Sequence, residues 1–568
     1  MICAGESLPE GGVTEVEIAV VGTGPVGLAV AMRLAGRVGR IALIEAGGRQ
    51  FEPAQNLEFF KAAQIIDPRH SPTELNRRRM LGGTTSVWGG RCIPFDPEDF
   101  APTCERPGWP IAFAEMDAHI AAALEFLDAG KPEFSAVSVL PTYPVLTDDA
   151  ANDLVVDRIE RYSKPTNVWR KWATTLARSR DVTVIQGATC INVITNADGS
   201  EATGLALRMT SSHRYHKILA STVVLACGGL ETPRLLLASR DSRSCGLGNE
   251  HDLVGRFYMT HLVSDARNVG ALRFVRPEIA HAFTFAKTLD GVYGRRMILL
   301  SPATRKRYGI GNIVFRPTRP PIDDPSHRDP VLSAMFLARN HFIPAEYMRS
   351  LTVKSGSSPT PMWRDHVANV ARGFTRLGDF SIDWMRRRVI ATRKLPSVFL
   401  YRTDGTYPLE FNAEQMPNRE SRVLLGHETD CLSVPRLVVE WQMREHEVAS
   451  ICRAYQALAV AVAEAGLGTV QLDPNLANAV LGALVPQGGH HIGTVRMDAD
   501  PSTGVVNRNG EVWGTRGLFV AGTAIFSTSG FANPTLTAVA LAFRLAEHLA
   551  LRKTSAQGSS GLVTRYSG

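Results

Sequence analysis

The stretch Glu17-Ile18-Ala19-Val20-Val21-Gly22-Thr23-Gly24-Pro25-Val26-Gly27 begins as an apolar run and ends in three spaced glycines. This pattern predicts a buried strand, a tight turn and a helix that continues over residues 28–34. Gly22 permits the turn, Gly24 lets the backbone approach a pyrophosphate, and Gly27 allows the helix to pack closely on the strand. Free N–H groups at the helix start would bind the phosphates of a dinucleotide. We therefore expect an α/β protein with a Rossmann-like domain.

An acidic residue stands at the end of the next predicted strand. The apolar run Ile41-Ala42-Leu43-Ile44 leads directly into Glu45. A carboxylate at this place would accept hydrogen bonds from an adenosine ribose, which strengthens the interpretation of the glycine turn. FAD and NAD share this fingerprint, so the choice between them depends on the rest of the chain.

Two further segments bear on that choice. The first is the loop Arg79-Met80-Leu81-Gly82-Gly83-Thr84-Thr85-Ser86-Val87-Trp88-Gly89-Gly90-Arg91, whose glycines and hydroxyl residues could lie against a flat ring system. The second starts at Gly489-His490-His491-Ile492-Gly493-Thr494, passes through Gly517-Leu518-Phe519-Val520-Ala521-Gly522, and ends at Asn533-Pro534-Thr535 before a final apolar helix. Between them lies a third strand–turn–helix pattern at residues 223–236.

These motifs, in this order and across nearly the whole chain, resemble the glucose-methanol-choline (GMC) family of FAD-dependent oxidoreductases. The W-G-G loop and the segments 255–261 and 414–418 are more similar to the branch of pyranose oxidases and bacterial glycoside-oxidising enzymes. The resemblance implies oxidation of an alcohol to a carbonyl by hydride transfer to flavin N5. Its implied substrate is a secondary hydroxyl of a sugar or glycoside, and its implied electron acceptor is oxygen or a quinone-like compound.

Carried over residue by residue, the resemblance assigns the catalytic pair to His490 and Asn533. His490 precedes Thr494 in the family's H-x-x-G-T motif, and a neutral imidazole can take the hydroxyl proton. Asn533 would orient the substrate oxygen, although its place before a helix also fits a capping residue. Gln415 and His491 are further candidates for substrate contacts. A position at the entry to a turn explains Gln415 equally well, and a structural role explains His491 better.

The resemblance also indicates how the flavin is held. Pyranose oxidases bind FAD covalently through a histidine before the loop tryptophan, and this chain has Val87 there, so we expect noncovalent FAD. The residue after the tryptophan is Gly89 instead of a hydroxyl residue, which leaves the reactivity toward oxygen open. The expected FAD contacts are Gly22, Gly24, Gly27, Glu45, Gly82, Gly83, Thr84, Ser86, Trp88, Cys190, Gly522 and Thr535.

The composition excludes several classes of protein. With 568 residues, 44% of them hydrophobic, the chain can bury a large core and is neither a disulfide scaffold nor a disordered tail. The net charge of +7 is scattered along the chain, which argues against nucleic-acid binding. Eight cysteines without C-x-x-C spacing predict free thiols and no metal site. Because glycines interrupt the only apolar stretch near the N-terminus, we expect no signal peptide, no membrane span and a cytoplasmic location.

The motif positions predict a discontinuous FAD-binding domain formed by residues 15–105, 175–262 and 483–553. Residues 106–174 and 263–482 would form a substrate domain, an antiparallel sheet backed by helices, and residues 1–14 and 554–568 would be flexible tails. Three alternatives to sugar oxidation stay open. They are oxidation of an aliphatic or secondary-metabolite alcohol, a GMC-like hydroxynitrile lyase with non-redox FAD, and a flavin-bound protein without turnover.

Overall fold

The computed structural model describes residues 1–103, 106–140, 146, 153–264, 269–338 and 363–563, with side chains described as far as residue 554. Its first sheet has eight strands and is parallel at its centre. In spatial order the strands are Ile2–Ala4, Val182–Gln186, Ile41–Glu45, Val13–Val21, Tyr215–Leu225, Ala202–Met209 and Ala188–Thr195, with Leu518–Val520 parallel to the end of Tyr215–Leu225. The predicted Rossmann-like α/β fold is confirmed.

The register of this sheet brings four strand ends to one edge. Val21 lies opposite Ile44 on one side and Leu225 on the other, and Leu225 lies opposite Val520. The glycine turn after Val21 and the turns after the neighbouring strands therefore meet at the carboxyl edge of the parallel strands. In open α/β sheets, ligands bind outside this edge.

Helices cover the faces of the first sheet. Helix Pro25–Leu34 follows the glycine turn and packs against the last helix, Thr535–Val563. Both helices contribute buried alanines and leucines to a large apolar cluster around the sheet. The other α-helices in the described residues are Pro53–Phe60, Pro97–Phe100, Phe113–Asp117, Ile120–Phe126, Ala136–Val139, Val168–Arg178, Gly228–Ala238, Pro302–Arg307, Pro330–Leu337, Trp363–Arg372, Phe374–Trp384, Glu445–Glu464 and Leu476–Ala483.

A second sheet of eight strands is antiparallel. Helix Glu445–Glu464 packs on it and ends before Gly466, which has φ +63°. Trp441, Phe315 and Tyr455 are among the side chains buried in its separate apolar core. Its strands are Gly468–Leu472, Gly270–Phe274, Thr406–Ala413, Ile313–Pro317, Ile298–Leu300, Leu154–Val155, Leu262–Ser264 and Leu484–Pro486.

Two smaller sheets connect these parts. One contains Ala286–Lys287, Tyr293–Arg296, Ile159–Tyr162 and Arg91–Cys92, and the other contains Arg422–Thr429, Pro435–Glu440 and Gln64–Ile65. Strands Arg422–Thr429 and Pro435–Glu440 lie within the expected substrate-domain segment 263–482, but they pair in the second of these small sheets and not in the large antiparallel sheet. The division of the chain into two domains stays a prediction. Residues 141–145, 147–152, 265–268 and 339–362 of the predicted substrate domain lie outside the described residues.

The ends of the chain differ from the expected tails. Ile2–Ala4 forms an edge strand beside Val182–Gln186, and the N-terminal amino group donates a hydrogen bond to Val182 O at 2.7 Å. A three-residue strand is too short to produce an alternating pattern, so the sequence gives no sign of it. At the other end the last helix extends to Val563, beyond the expected start of the tail at 554. Residues 564–568 lie outside the described residues.

Candidate FAD and alcohol site

The glycine turn has the geometry that its spacing predicts. Gly22 has φ +105°, a conformation that side chains disfavour. A Cβ added at Gly27 would lie 1.9 Å from Gly22 O, so any larger residue would push the helix away from the strand. A Cβ added at Gly24 would meet no atom within 4 Å, although Gly24 caps helix Pro25–Leu34. The turn therefore leaves open space directly at a helix N-terminus, where a pyrophosphate fits.

Glu45 holds this turn in place. Its Oε2 accepts hydrogen bonds from Thr23 N at 3.1 Å and Thr23 Oγ1 at 2.6 Å, and its Oε1 accepts one from Gly47 N at 2.9 Å. Burial raises the pKa of the carboxyl group, against the hydrogen bonds from Thr23 and Gly47 and the charge of Arg79, which lower it. These three hydrogen bonds occupy three of about four acceptor positions of the carboxylate, so it can accept one more hydrogen bond. The ribose contact of Glu45 stays a prediction.

The loop 79–91 lies against the glycine turn. Gly82 N donates to Thr23 Oγ1 at 3.2 Å, and a Cβ at Gly83 would lie 3.2 Å from Gly24 Cα. A short 3-10 turn, Gly83–Ser86, contains the predicted contacts Thr84 and Ser86. The Ser86 hydroxyl is buried and, among the described residues, has no hydrogen-bond partner, as expected where a polar ligand group completes a site. Trp88 Nε1 donates to Thr166 O at 2.9 Å, which fixes the end of the loop.

The structure brings His490 and Asn533 together, and their catalytic roles stay a prediction. Asn533 Nδ2 lies 3.2 Å from His490 Nε2, and the amide oxygen of Asn533 is buried without a partner among the described residues. On its other side, His490 Nδ1 lies 2.6 Å from Nδ1 of His261. His261 is fully buried, and its Nε2 lies 2.9 Å from Ser529 O. His490 itself is only partly buried, so its ring sits between the protein interior and an accessible space.

His261 is the site residue that sequence reasoning missed. It ends the segment 255–261 that supports the resemblance, but no role was assigned to it. Two contacts place it beside His490: Leu262 pairs with Pro486, and Gln487 N donates to His261 O at 2.9 Å. Because the partners are more than 200 residues apart in the chain, no local pattern predicts this contact.

The electrostatic surroundings keep both rings neutral. Burial lowers the pKa of His490 well below its ordinary value, and His261, Arg91 and His491 add to the shift. Burial also lowers the pKa of His261 to about 4, with Arg316 and Arg91 acting in the same direction. At neutral pH, His490 is therefore an unprotonated base.

The loop that carries Asn533 is anchored from several sides. Trp109 Nε1 donates to Thr528 Oγ1 at 2.8 Å, and Thr528 Oγ1 donates to Asp99 O at 3.0 Å. Asn412, on the second sheet, donates through Nδ2 to Phe531 O at 2.6 Å. These bonds fix Ser529 O and the start of the last helix relative to both sheets, so the histidine pair and Asn533 are held before any ligand binds.

His491 belongs to a different network, which supports its structural role. Its Nδ1 lies 2.7 Å from Tyr258 Oη, which lies 2.8 Å from Nε2 of His70. The Nδ1 of His70 lies 2.7 Å from Ser71 O. Burial lowers the pKa of His491 well below its ordinary value. His491 thus ties the H-x-x-G-T segment to the residues around 70, away from the His490–Asn533 contact.

The structure does not support a substrate contact for Gln415. Its side chain is buried, and its amide oxygen accepts hydrogen bonds from Thr260 N and Trp441 Nε1, both at 2.9 Å. Its amide nitrogen donates to Gln442 O at 2.9 Å. Because both acceptor positions of the amide oxygen and one N–H of the amide nitrogen are occupied in the core, Gln415 serves the packing between segments, and its predicted contact with a polyol gains no support.

The remaining predicted FAD contacts lie around the carboxyl edge of the first sheet. Gly522 follows strand Leu518–Val520 with φ +113°, and a Cβ there would lie 3.8 Å from Val26 of the first helix. Thr535 begins the last helix. Cys190 lies in strand Ala188–Thr195, and burial raises the pKa of its thiol to about 12. Their contacts with FAD stay predictions.

These observations fit FAD. The open space at Gly24, the unpartnered hydroxyl of Ser86 and the unpartnered amide oxygen of Asn533 are the features that a dinucleotide and a bound alcohol would use. Across the described parts of the chain, no group of His, Cys, Asp and Glu has the arrangement of a metal site. The fold and this site define the class of FAD-binding proteins that combine a Rossmann-like sheet with an antiparallel substrate sheet.

Two family models described as GMC oxidoreductase match the chain, the N-terminal model at residues 164–263 and the C-terminal model at residues 417–542. These two segments match the models of a family whose members bind FAD. Among solved structures, it is similar to pyridoxine 4-oxidase from Mesorbium loti, with a TM-score of 0.55 and 16% identity over 94% of this chain and 98% of that one. Formate oxidase gives a TM-score of 0.53 at 15% identity, over 96% of this chain and 100% of that one.

Two curated relatives extend the comparison. A 2-methyl-1,2-propanediol dehydrogenase from Mycolicibacterium austroafricanum is 24% identical over 419 residues, which are 71% of this chain and 60% of the relative. A C-glycoside 3-oxidase from Microbacterium trichothecenolyticum is 53% identical over 62 residues, 11% of this chain and 12% of the relative. The matches thus span 60% and 12% of the two relatives' lengths, less than two thirds in each case.

Proposed function

We propose that the protein oxidises an alcohol to a carbonyl compound with FAD, and that its substrate is a secondary hydroxyl of a sugar or glycoside. The observation that carries this proposal is the pairing of His490 Nε2 with Asn533 Nδ2 at 3.2 Å in a partly accessible position. A base and a hydrogen-bond donor at this separation can both reach one substrate oxygen.

In the proposed reaction, His490 and Asn533 act on the alcohol and other residues hold FAD. His490, neutral at physiological pH, takes the hydroxyl proton at Nε2. Asn533 donates a hydrogen bond to the same oxygen and holds the alcohol in line with the base. FAD, when bound, supplies the acceptor for the hydride that leaves the substrate carbon. Gly22, Gly24 and Gly27 would hold its pyrophosphate, and the loop Gly82–Trp88 would lie along its ring system.

Similarity to known proteins supports a sugar or glycoside as substrate. The short, strong match to a C-glycoside 3-oxidase favours a glycoside hydroxyl. The longer, weaker match to a diol dehydrogenase favours the second candidate, an aliphatic alcohol. A hydroxynitrile lyase would use the same base without redox chemistry, so only a redox readout separates it from the proposal.

Anaerobic mixing of the holoprotein with sugars, glycosides and aliphatic diols tests the proposal. A substrate should bleach the oxidised-flavin absorbance near ~450 nm without any added acceptor. Re-oxidation by air would then identify an oxidase, and re-oxidation only by a quinone dye would identify a dehydrogenase. Release of cyanide from a cyanohydrin without bleaching would support the lyase instead. If no alcohol in the panel bleaches the flavin, the proposal fails.

A further inference from the structure

The contact between His490 and His261 determines which nitrogen of His490 carries the proton. Ser529 O can only accept a hydrogen bond, so the 2.9 Å contact requires a proton on His261 Nε2. A neutral imidazole carries one proton, and His261 Nδ1 must therefore be an acceptor. In the 2.6 Å contact between the two Nδ1 atoms, His490 is then the donor.

We infer that His261 is a positioning residue that locks His490 in the tautomer with its proton on Nδ1 and a free lone pair on Nε2. The Ser529 carbonyl requires the proton of His261 on Nε2, so His261 Nδ1 accepts a hydrogen bond from His490 Nδ1. The unprotonated Nε2 of His490 then lies beside Asn533. Asn533 Nδ2, a donor, faces the same atom at 3.2 Å, which agrees with this assignment. The inference rests on the proposed role of His490 as the base.

The alternative tautomer would be inactive in proton abstraction. With the proton on Nε2, His490 would point an N–H donor at the NH2 group of Asn533 and at the substrate hydroxyl. Its unprotonated Nδ1 would then face the unprotonated Nδ1 of His261. The lock holds over a wide range of pH because burial lowers the pKa of His261 to about 4. The charged and titratable groups around the pair are Arg91, Arg316 and His491, and none of them replaces the Ser529 carbonyl as a hydrogen-bond partner.

The nitrogen resonances of the holoprotein labelled with 15N-histidine give a readout that needs no turnover. The signals of His490 are identified by their loss in His490→Asn. We expect a protonated Nδ1 and an unprotonated Nε2 in the wild type, and a mixture of tautomers in His261→Leu. A wild-type His490 with its proton on Nε2 would overturn the inference, whether or not the His261 variants fold.

Three substitutions of His261 separate positioning from packing. His261→Leu removes the acceptor and should slow flavin reduction by about 10- to 1000-fold, a part of the ~10²–10⁴ expected for a general base. His261→Asn places a carbonyl oxygen where Nδ1 lies and should restore much of this rate. His261→Asp places an anion beside His490, which stabilises its imidazolium form, so the acidic limb of the pH profile should move to higher pH.

His216→Leu is the matched control. His216 is also buried and uses both ring nitrogens, with Pro9 O at 3.1 Å and Thr14 Oγ1 at 2.9 Å. This change should leave the pH limb of flavin reduction unmoved. If His490→Asn is inactive but all three His261 variants keep the wild-type rate and limb, the inference fails and the proposed function stands. If no alcohol reduces the wild-type flavin, the function fails and the nitrogen spectra still decide the tautomer.

Discussion

Asn533 Nδ2 lies 3.2 Å from His490 Nε2, although the two residues are 43 positions apart in the chain. Different parts of the fold fix the two side chains. Asn533 precedes the last helix, which packs on helix Pro25–Leu34 after the glycine turn. His490 follows strand Leu484–Pro486, which pairs with Leu262–Ser264 of the second sheet. The candidate catalytic pair therefore lies where the first and the second sheet meet.

His490→Ala should keep FAD and lose most of the reaction. Its ring contacts His261 and Asn533 and not the glycine turn, so the protein should purify with its flavin. Because a positioned general base is worth ~10²–10⁴ in rate, anaerobic flavin reduction by a substrate should slow by about that factor. Stopped-flow absorbance of the holoprotein measures it.

His491→Asn tests whether His490, and not the adjacent His491, is the base. Its ring contacts Tyr258 and not Asn533, so its loss should slow flavin reduction much less than the loss of His490. Unfolding temperature should fall instead, since a buried network loses a partner. Near-wild-type reduction in His490→Ala with an inactive, folded His491→Asn would show that the roles are reversed.

The pH profile of flavin reduction should have its acidic limb well below pH 6.5. The active form of the base is unprotonated, so the rate falls as pH drops through the pKa of His490. Burial lowers that pKa well below its ordinary value, which moves the limb to acid pH and leaves the rate flat around neutrality. The limb should vanish in His490→Ala. A limb above pH 7 in the wild type would contradict a buried neutral base.

Local patterns predicted the parts of this structure whose causes are local. The three glycines, the strand before them and Glu45 all lie within one short segment, and the geometry at Gly22 and Gly27 agrees with that reading. His490 and Asn533 were assigned only through the family resemblance, because their spacing in the chain carries no geometric constraint.

Contacts that depend on strand register could not be predicted. His261 reaches His490 because Leu262 pairs with Pro486, and that register is set by the whole second sheet. The same limit explains Gln415. Its neighbours in sequence suggest a turn at the site, but hydrogen bonds from Thr260 and Trp441, distant in the chain, hold its side chain in the core.

Gly27→Ala should abolish FAD binding. The added methyl group would lie 1.9 Å from Gly22 O, so the helix and the strand must separate at the pyrophosphate site. Overpacking of this kind costs about 1–3 kcal/mol, which thermal unfolding should register together with loss of yellow colour. Gly378→Ala is the control, because a Cβ there meets no atom within 4 Å in helix Phe374–Trp384. A Gly27→Ala protein with full flavin content would show that the turn does not bind the dinucleotide.

The flavin should be bound without a covalent bond. Val87 occupies the position of the linking histidine, and an aliphatic side chain has no nucleophilic atom for attachment to the isoalloxazine ring. Precipitation by acid or heat should therefore release all yellow colour into the supernatant. Colour that stays in the washed protein pellet would disprove this prediction and would direct attention to another residue of the loop 79–91.

Glu45→Gln should weaken FAD binding more than it slows the chemistry. The carboxylate accepts two hydrogen bonds from Thr23 and one from Gly47. In glutamine an NH2 group replaces one carboxylate oxygen, so this group would face an N–H or O–H donor and that hydrogen bond would be lost. An unmet hydrogen bond to a buried group costs about 1–3 kcal/mol, so FAD affinity should fall by roughly 5- to 150-fold. Because the hydrogen bonds of Glu45 go to Thr23 and Gly47 and not to His490 or Asn533, the fraction that retains FAD should be reduced by substrate at nearly the wild-type rate. Flavin content after purification and titration of apoprotein with FAD measure the first effect, and stopped-flow reduction measures the second. A variant that is fully loaded with flavin but inactive would show that Glu45 acts in the reaction and not in FAD binding.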